Sequence, residues 1–310
     1  MTLNLTKSHR YDIFNHMKTL IEILQPYNSI AIAGMAKNVG KTTVLNHMIG
    51  KLGGTMGLTS IGLDGEETDH VTATPKPRIF VPAGTIIATA EMLLTTRNQG
   101  INDIARQILA VMDDYTTPLG RIVVARALTP GHVMLAGPSM VQQIPPIMQI
   151  LRNMGADRII IDGALARKSL AMPDLARAVV LATGASVARS MDKVVADTKH
   201  AVEIFRLPTF DENNEYMRLD GAVTDAKLEG LFDKNIVAHD ATKILISPKA
   251  LAKLRLGGGT ISVIKKINLA AVTINPTSPY GINFNANEFL EKMSRAVSVP
   301  VFNVNQELNL

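Results

Sequence analysis

Ten consecutive residues carry the densest chemistry in this chain: Gly34-Met35-Ala36-Lys37-Asn38-Val39-Gly40-Lys41-Thr42-Thr43. They follow a short β-branched run, Ser29 to Ala33, and precede a helical stretch from Lys41 to Leu52 that Gly53-Gly54 ends. A strand, a glycine-bearing loop and a helix start in that order place successive backbone N–H groups around an anion, with the positive end of the helix aimed at it. Gly40 permits close backbone approach, Lys41 is placed to neutralise phosphate oxygens, and the Thr42 hydroxyl suits Mg²⁺. Gly34, Lys37, Asn38, Val39 and Thr43 complete the expected cradle.

A phosphate site of this kind needs a carboxylate on a neighbouring strand. Arg158-Ile159-Ile160-Ile161-Asp162-Gly163 is an apolar run ending in one, and parallel strands open their C-terminal ends toward the ligand crevice. Asp162 is therefore expected near the phosphates and Mg²⁺, with a turn-capping role as the plainer alternative. Asp64 ends the run Gly57 to Leu63 in the same way and opens an acidic stretch with Glu66, Glu67 and Asp69. It could hold Mg²⁺ through water or position a nucleophile, although acidic clusters are commonly just solvated. Arg167 and Lys168 follow Asp162 closely enough to reach a phosphate or a partner's carboxylates. Ser139 with Gln142 reads as a capping box, and Gly257-Gly258-Gly259 as a turn. No Asn-Lys-x-Asp guanine motif occurs, which favours ATP, and the histidines show no His-Glu-x-x-His spacing.

The elements that must hold these groups alternate. Helices are expected over Tyr11 to Leu24 (within residues 10–25), Met140 to Met154, Val187 to Phe205, and near Lys249 and Glu288. Strands are expected at Ala178 to Ala182, Ala222-Val223, Lys243 to Ile246, Ala270 to Ile274 and Val301 to Val304. Alternation of this kind implies an α/β fold with a mostly parallel sheet covered on both faces. Residues of about 75–138 break the pattern. Lys76 to Val81 with Thr85 to Ala88 reads as one hairpin around Pro82-Ala83-Gly84. Arg121 to Leu128 with His132 to Leu135 reads as a second around Thr129-Pro130-Gly131, and a helical stretch from Asn102 to Met112 lies between them. The expectation is a single domain over residues 1–310 carrying an antiparallel β-hairpin insertion.

Composition narrows the field. With 310 residues, 46% of them apolar, a sizeable core needs no cross-links, and the absence of cysteine removes disulfides, thiolate metal sites and cysteine nucleophiles together. No apolar run reaches the roughly 20 residues of a membrane span, and Lys7, His9, Arg10 and Asp12 interrupt any export signal. A cytoplasmic protein is expected. The net charge of +5 is dispersed and tryptophan is absent, so nucleic acid is not the expected ligand.

The glycine-lysine-threonine loop is of the P-loop type, but five residues separate Gly34 from Gly40 where the usual pattern has four. That longer loop resembles dethiobiotin synthetase and the wider class that includes the nitrogenase iron protein and the Min-type ATPases. Many members carry a signature lysine five residues before the P-loop lysine. Ala36 stands there and Lys37 is one place off, a departure from that pattern. The resemblance also implies a Walker B role for Asp162 and, for Asn275 in Asn275-Pro276, a place against the nucleotide base; Asn-Pro also simply starts turns.

A narrower likeness lies in four blocks: Gly34 to Leu45, LTSIGLDGEETDHVTATPKPR (Leu58 to Arg78), VARALTPGHVMLAGPS (Val124 to Ser139) and IDGALARKSL (Ile160 to Leu170). Together they resemble the small P-loop subunit of the reactivase that accompanies lysine 5,6-aminomutase. The resemblance implies an accessory protein that uses ATP and Mg²⁺ to help release damaged cofactor from an adenosylcobalamin aminomutase. Its implied partners are that mutase and an ATPase resembling the mismatch-repair MutS clamp, with a homodimer as a further option. The alternative is an ATP-dependent ligase or kinase acting on a small carboxylate or amine, as the dethiobiotin synthetase likeness suggests.

Overall fold

The computed structural model describes residues 18–62, 78–95, 103–163, 175–213 and 215–307. Its centre is a nine-stranded sheet in the order β16-β15-β9-β1-β8-β2-β4-β6-β5. The strands are β1 (Ser29–Gly34), β2 (Met56–Ile61), β4 (Ile86–Ala90), β5 (Arg106–Thr117), β6 (Gly120–Ala127), β8 (Arg158–Gly163), β9 (Ala178–Gly184), β15 (Leu269–Asn275) and β16 (Val301–Phe302). From β16 to β4 every neighbour is parallel, and β6 and β5 add an antiparallel edge. The chain is thus α/β with a large, mostly parallel sheet.

Near-continuous apolar strands explain why both faces are covered. Ile30 and Ile32 of β1 face helices α1 (Leu20–Leu24) and α2 (Lys41–Lys51), packing with Leu20, Leu24, Leu45 and Met48. Ala31 and Ala33, one residue out of phase, face the opposite layer. That layer holds α4 (Ile144–Asn153), α5 (Met191–Phe205) and α8 (Ala286–Ala296). It also takes in a small parallel sheet that the sequence reading did not foresee. There β12 (Asn235–Asp240) lies between β10 (Met217–Arg218) and β14 (Thr260–Lys265), and Ile236, Ala238, Ile261 and Val263 join the same core.

The antiparallel region differs from expectation in pairing. Asn102 to Met112 is not helical where it is described: β5 begins at Arg106 and forms a tight hairpin with β6 through the turn before Gly120. Ile104, Ile108, Leu109 and Met112 have helical spacing but share no face: Ile104 packs in one core layer, Leu109 and Met112 in the other, and Ile108 is half exposed. The two foreseen hairpins do not form. The strand β3 (Ile79–Val81) pairs with β7 (Gly131–Val133), while β4 joins β2 on one side and β6 on the other. The antiparallel strands therefore extend the main sheet itself.

Two helix starts also differ. Thr19 has extended backbone (φ −68°, ψ 163°) and caps α1 in a reciprocal box with Glu22, so no helix runs continuously through it; Tyr11 to Met17 lie outside the described residues. Ser139 is not the cap of its helix. A short 3₁₀ turn, Val141–Gln143, precedes α4 with Met140 at its cap position and no side-chain cap bond, and Pro145 sits in the first turn of α4.

One crossing fixes the end of β2 below the site. Gly137 lies so close to that strand that a Cβ built on it would stand 1.6 Å from the Ser60 carbonyl oxygen. The Gly62 amide donates to Pro138 (2.7 Å) and the Gly137 amide to Gly62 (3.1 Å). Gly137→Ala must push the two segments apart, and a loss of about 1–3 kcal/mol is expected. Urea unfolding should show a lower midpoint at unchanged slope; an unchanged midpoint would contradict this contact.

Candidate functional site

The C-terminal ends of β1, β2, β8, β9 and β15 share one edge of the sheet, because these strands are all parallel. The connection after β1 runs toward β2 and the one after β8 crosses to β9, so the edge opens a crevice at the end of β1. The loop from Gly34 to Gly40 sits there. Two of its residues adopt left-handed backbone: Asn38 (φ 58°), a residue type that tolerates it, and Gly40 (φ 90°). Together they turn the chain sharply into α2.

Lys41, the first residue of α2, is 7% exposed, and its stem folds back over the loop's base. A Cβ at Gly34 would lie 2.9 Å from Lys41 Cδ and 3.2 Å from Nζ, so Gly34 has to lack a side chain for the lysine to lie there. Gly40 caps α2 without a side-chain bond, and the first turn of α2 contains no acidic residue. The helix therefore presents N–H groups that it does not itself use, beside a lysine and with no carboxylate in that turn. Such an arrangement can bind a phosphate.

The register puts Asp162 opposite Ile32, two residues below the loop. By the alternation that carries Ile32 and Ile160 to the α2 face, Asp162 is on that face too, half-buried. Ser60 of β2 is its register partner on the other side, buried and with no hydrogen-bond partner for its hydroxyl among the described residues. Lys41, Thr42 and Asp162 are thus gathered at one end of the sheet. Asp64, Glu66, Glu67, Asp69, Arg167 and Lys168 lie outside the described residues. Among the described residues no group of three or more His, Asp or Glu side chains could hold a metal.

The loop is braced from behind by segments far away in the chain. Asn275 Nδ2 donates to the Asn38 carbonyl at 3.3 Å, and Asn275 Oδ1 accepts from Thr277 N at 3.2 Å and Thr277 Oγ1 at 2.9 Å. Ser186 Oγ donates to the same Asn38 carbonyl at 3.2 Å and lies 3.1 Å from Ser278 Oγ. The Met35 amide donates to Ala182 (2.9 Å). Asn275, expected against a nucleotide base, borders the loop, and its amide is engaged with loop backbone and its own turn. It also lines a narrow cleft with Val39, Thr43, Thr273 and Asn305. Ser186 and Ser278 were not foreseen. The only trace of them in the sequence is a run of small residues after each strand, Gly184-Ala185-Ser186 and Pro276-Thr277-Ser278. Gly257 to Gly259 joins α7 (Pro248–Leu256) to β14, away from this edge, as the turn expected.

Comparison with protein-family models, with curated proteins and with solved structures finds no match to this chain. No helix among the described residues is long and apolar enough to cross a membrane.

The bracing generates a prediction. In Asn275→Asp a carboxylate oxygen replaces the donor that faces the Asn38 carbonyl, so attraction becomes repulsion while size is kept. Loss of about 1–2 kcal/mol in phosphate-ligand affinity is expected, roughly five- to thirtyfold in Kd. Calorimetric titration with MgATP should show it; equal affinity in the variant would mean that the brace does not shape the loop.

Proposed function

We propose that this chain binds MgATP in the loop from Gly34 to Thr43 and works as a nucleotide-driven accessory protein. The observation that carries the reading is Lys41 folded back across Gly34 at the start of a helix whose first turn holds no acid. A buried ammonium group in that position is costly unless an anion pairs with it.

In this reading the Gly34 to Gly40 backbone surrounds the β-phosphate, with Lys37, Asn38 and Val39 forming its wall. Lys41 draws charge from the β- and γ-phosphates, and Thr42 holds the cation that accompanies them. Asp162 orients that cation from the neighbouring strand, directly or through water, and Thr43 faces the cleft where Asn275 stands. Asp64 is a second candidate for the cation or for placing a water molecule. The lack of a guanine-reading motif supports ATP.

The four sequence blocks that resemble the reactivase subunit of lysine 5,6-aminomutase support a more specific role. This chain would couple ATP turnover to release of damaged cofactor from an adenosylcobalamin aminomutase, together with a MutS-like ATPase. The acidic stretch from Asp64 to Asp69 follows β2 in sequence, and the C-terminal end of β2 shares the edge that carries the Gly34 to Gly40 loop, which supports a γ-phosphate-dependent switch there.

Lys41→Ala is expected to cost about 2–3 kcal/mol of MgATP binding, roughly 30-fold to 150-fold in Kd, with folding intact. Asp162→Asn should retain binding but hydrolyse ATP about tenfold or more slowly. Calorimetry and a phosphate-release assay measure the two. The role itself is tested by mixing the protein with its MutS-like partner, ATP and a turnover-inactivated aminomutase, then adding fresh adenosylcobalamin. Recovery of activity should require this chain and fail with Lys41→Ala. ATP turnover driven by a small amine or carboxylate alone would replace this reading with a ligase.

A further inference from the structure

The side chain of Asn46, on α2, bonds at two points to the backbone of another element. Its Nδ2 donates to the Arg78 carbonyl at 3.0 Å, and its Oδ1 accepts from the Phe80 amide at 3.0 Å. Arg78 and Phe80 are alternate residues, so their backbone groups face the same way, and β7 pairs with β3 on the opposite edge. One amide thus stands where a neighbouring strand would, and it fastens β3 to the helix that starts at Lys41. Ile79 and Val81 pack in the same core as Leu45 and Ile49 of that helix. Apolar packing has no direction and permits sliding, whereas the two bonds fix where β3 sits along α2.

The partner strand β7 is fastened elsewhere. The His132 amide donates to Asp103 Oδ1, His132 Nδ1 lies 3.3 Å from Asp103 Oδ2, and the Asp103 amide donates back to the His132 carbonyl at 3.2 Å. Asp103 leads directly into β5, so β7 goes with the antiparallel end of the large sheet. The ladder between β3 and β7 is only three residues on each side. Its middle residues touch at the surface: the ring centroids of Phe80 and His132 are 5.4 Å apart, edge to face at 71°, and Phe80 is 49% exposed.

Spacing on α2 connects this attachment to the phosphate end. Thr42 and Asn46 are four residues apart in one helix, so they lie on the same face, one turn from each other. In the MgATP reading, on which this inference rests, the ligand engages α2 through Lys41 and Thr42, in its first turn. A helix moves as a unit, so a shift of that turn carries Asn46, and Asn46 carries β3 while Asp103 holds β7.

We propose that Asn46 is a positioning residue that converts nucleotide occupancy into a displacement of β3 against β7. The displacement is displayed at the surface as a change in the contact between Phe80 and His132. Asn46 itself touches neither phosphate nor cation in this arrangement, so its loss cuts the link and leaves the ligand site standing.

The chain contains no tryptophan, so Phe80→Trp supplies a single reporter at the exposed contact. With folding verified by circular dichroism, saturating MgATP should change its emission, and the midpoint of that change should match the calorimetric Kd. Asn46→Ala in the same background should lose most of the change while Kd stays within about twofold, as for a site that shares no partner with the ligand. Asn46→Asp keeps the shape but sets a carboxylate oxygen against the Arg78 carbonyl, so it should also lose the change, and it serves if the alanine variant does not fold. Emission that ignores MgATP while calorimetry shows binding overturns the proposal. So does a full emission change in an Asn46 variant that binds. Absence of calorimetric binding by the unaltered chain removes the MgATP reading itself, and this inference with it.

Discussion

The stem of Lys41 fills the space that a side chain at Gly34 would need, and much of the surrounding structure serves that contact. For the lysine to lie across the loop, the chain must reverse from β1 into α2 within a few residues, and the left-handed backbone at Asn38 and Gly40 makes the reversal. For the reversal to hold, the Asn38 carbonyl needs partners, because a peptide group turned away from regular secondary structure costs free energy if left without them. Asn275 and Ser186 supply them from positions 237 and 148 residues away. Those two residues reach Asn38 because β9 lies beside β1 and β15 beside β9, with their C-terminal ends aligned. A local requirement of one side chain is thus met by the topology of the sheet.

The elements that could be read directly from residues are those governed by local rules. The strand before the loop, the glycine at the turn, the helix after it and the carboxylate at the end of an apolar run all depend on short-range pattern, and β1, α2 and β8 lie where that pattern puts them. The alternation of later segments gave the parallel sheet for the same reason. The errors lie where partner choice decides. Lys76 to Val81 and Thr85 to Ala88 are strand-like and close together, so a hairpin is the cheapest pairing by loop closure. In the fold β4 is drawn instead beside β2, where Ile86 and Ile87 are wholly buried, and β3 is left to β7. Burial of two isoleucines outweighs the small entropic advantage of the shorter loop. The β5 error has a different origin: its ladder to β6 is irregular between Ile108 and Ala110 and again between Met112 and Thr116, which breaks the period of two, and no glycine or proline within the strand marks either place.

The bracing of the loop also bears on what a bound ligand could do. Ser186 begins the connection from β9 into α5, and Asn275 begins the connection from β15 toward α8. Both connections therefore touch the loop at one atom, the Asn38 carbonyl oxygen. A phosphate that tightens the loop changes the position of that oxygen and acts on the starts of two helix-bearing segments together. These helices lie against each other, with Lys292 of α8 bonded to Asp192 of α5 at 3.0 Å. A ligand response limited to the loop would leave this layer unmoved, whereas a response carried outward has a packed pair of helices to move as one body.

On the opposite side of the sheet the connection is made by a single crossing. The segment from Ala136 to Pro138 bonds to the end of β2 through Gly62 and to β4 through Thr89 and Ala90, with Ala136 N donating to Thr89 Oγ1 at 2.8 Å and Ala90 N to the Ala136 carbonyl at 2.9 Å. It joins the strand that leads into the acidic segment to the strand on which the antiparallel edge is built. Gly137 has no room for any side chain there, so the two strands are held at a fixed separation. Packed interiors resist small deformations and respond to larger ones by moving whole elements. Displacement at the end of β2 must then be shared with β4 and, through the ladder, with β6 and β5. The antiparallel end of the sheet and the strand ends beside the Gly34 to Gly40 loop belong to one mechanical unit, joined where the chain has no spare volume.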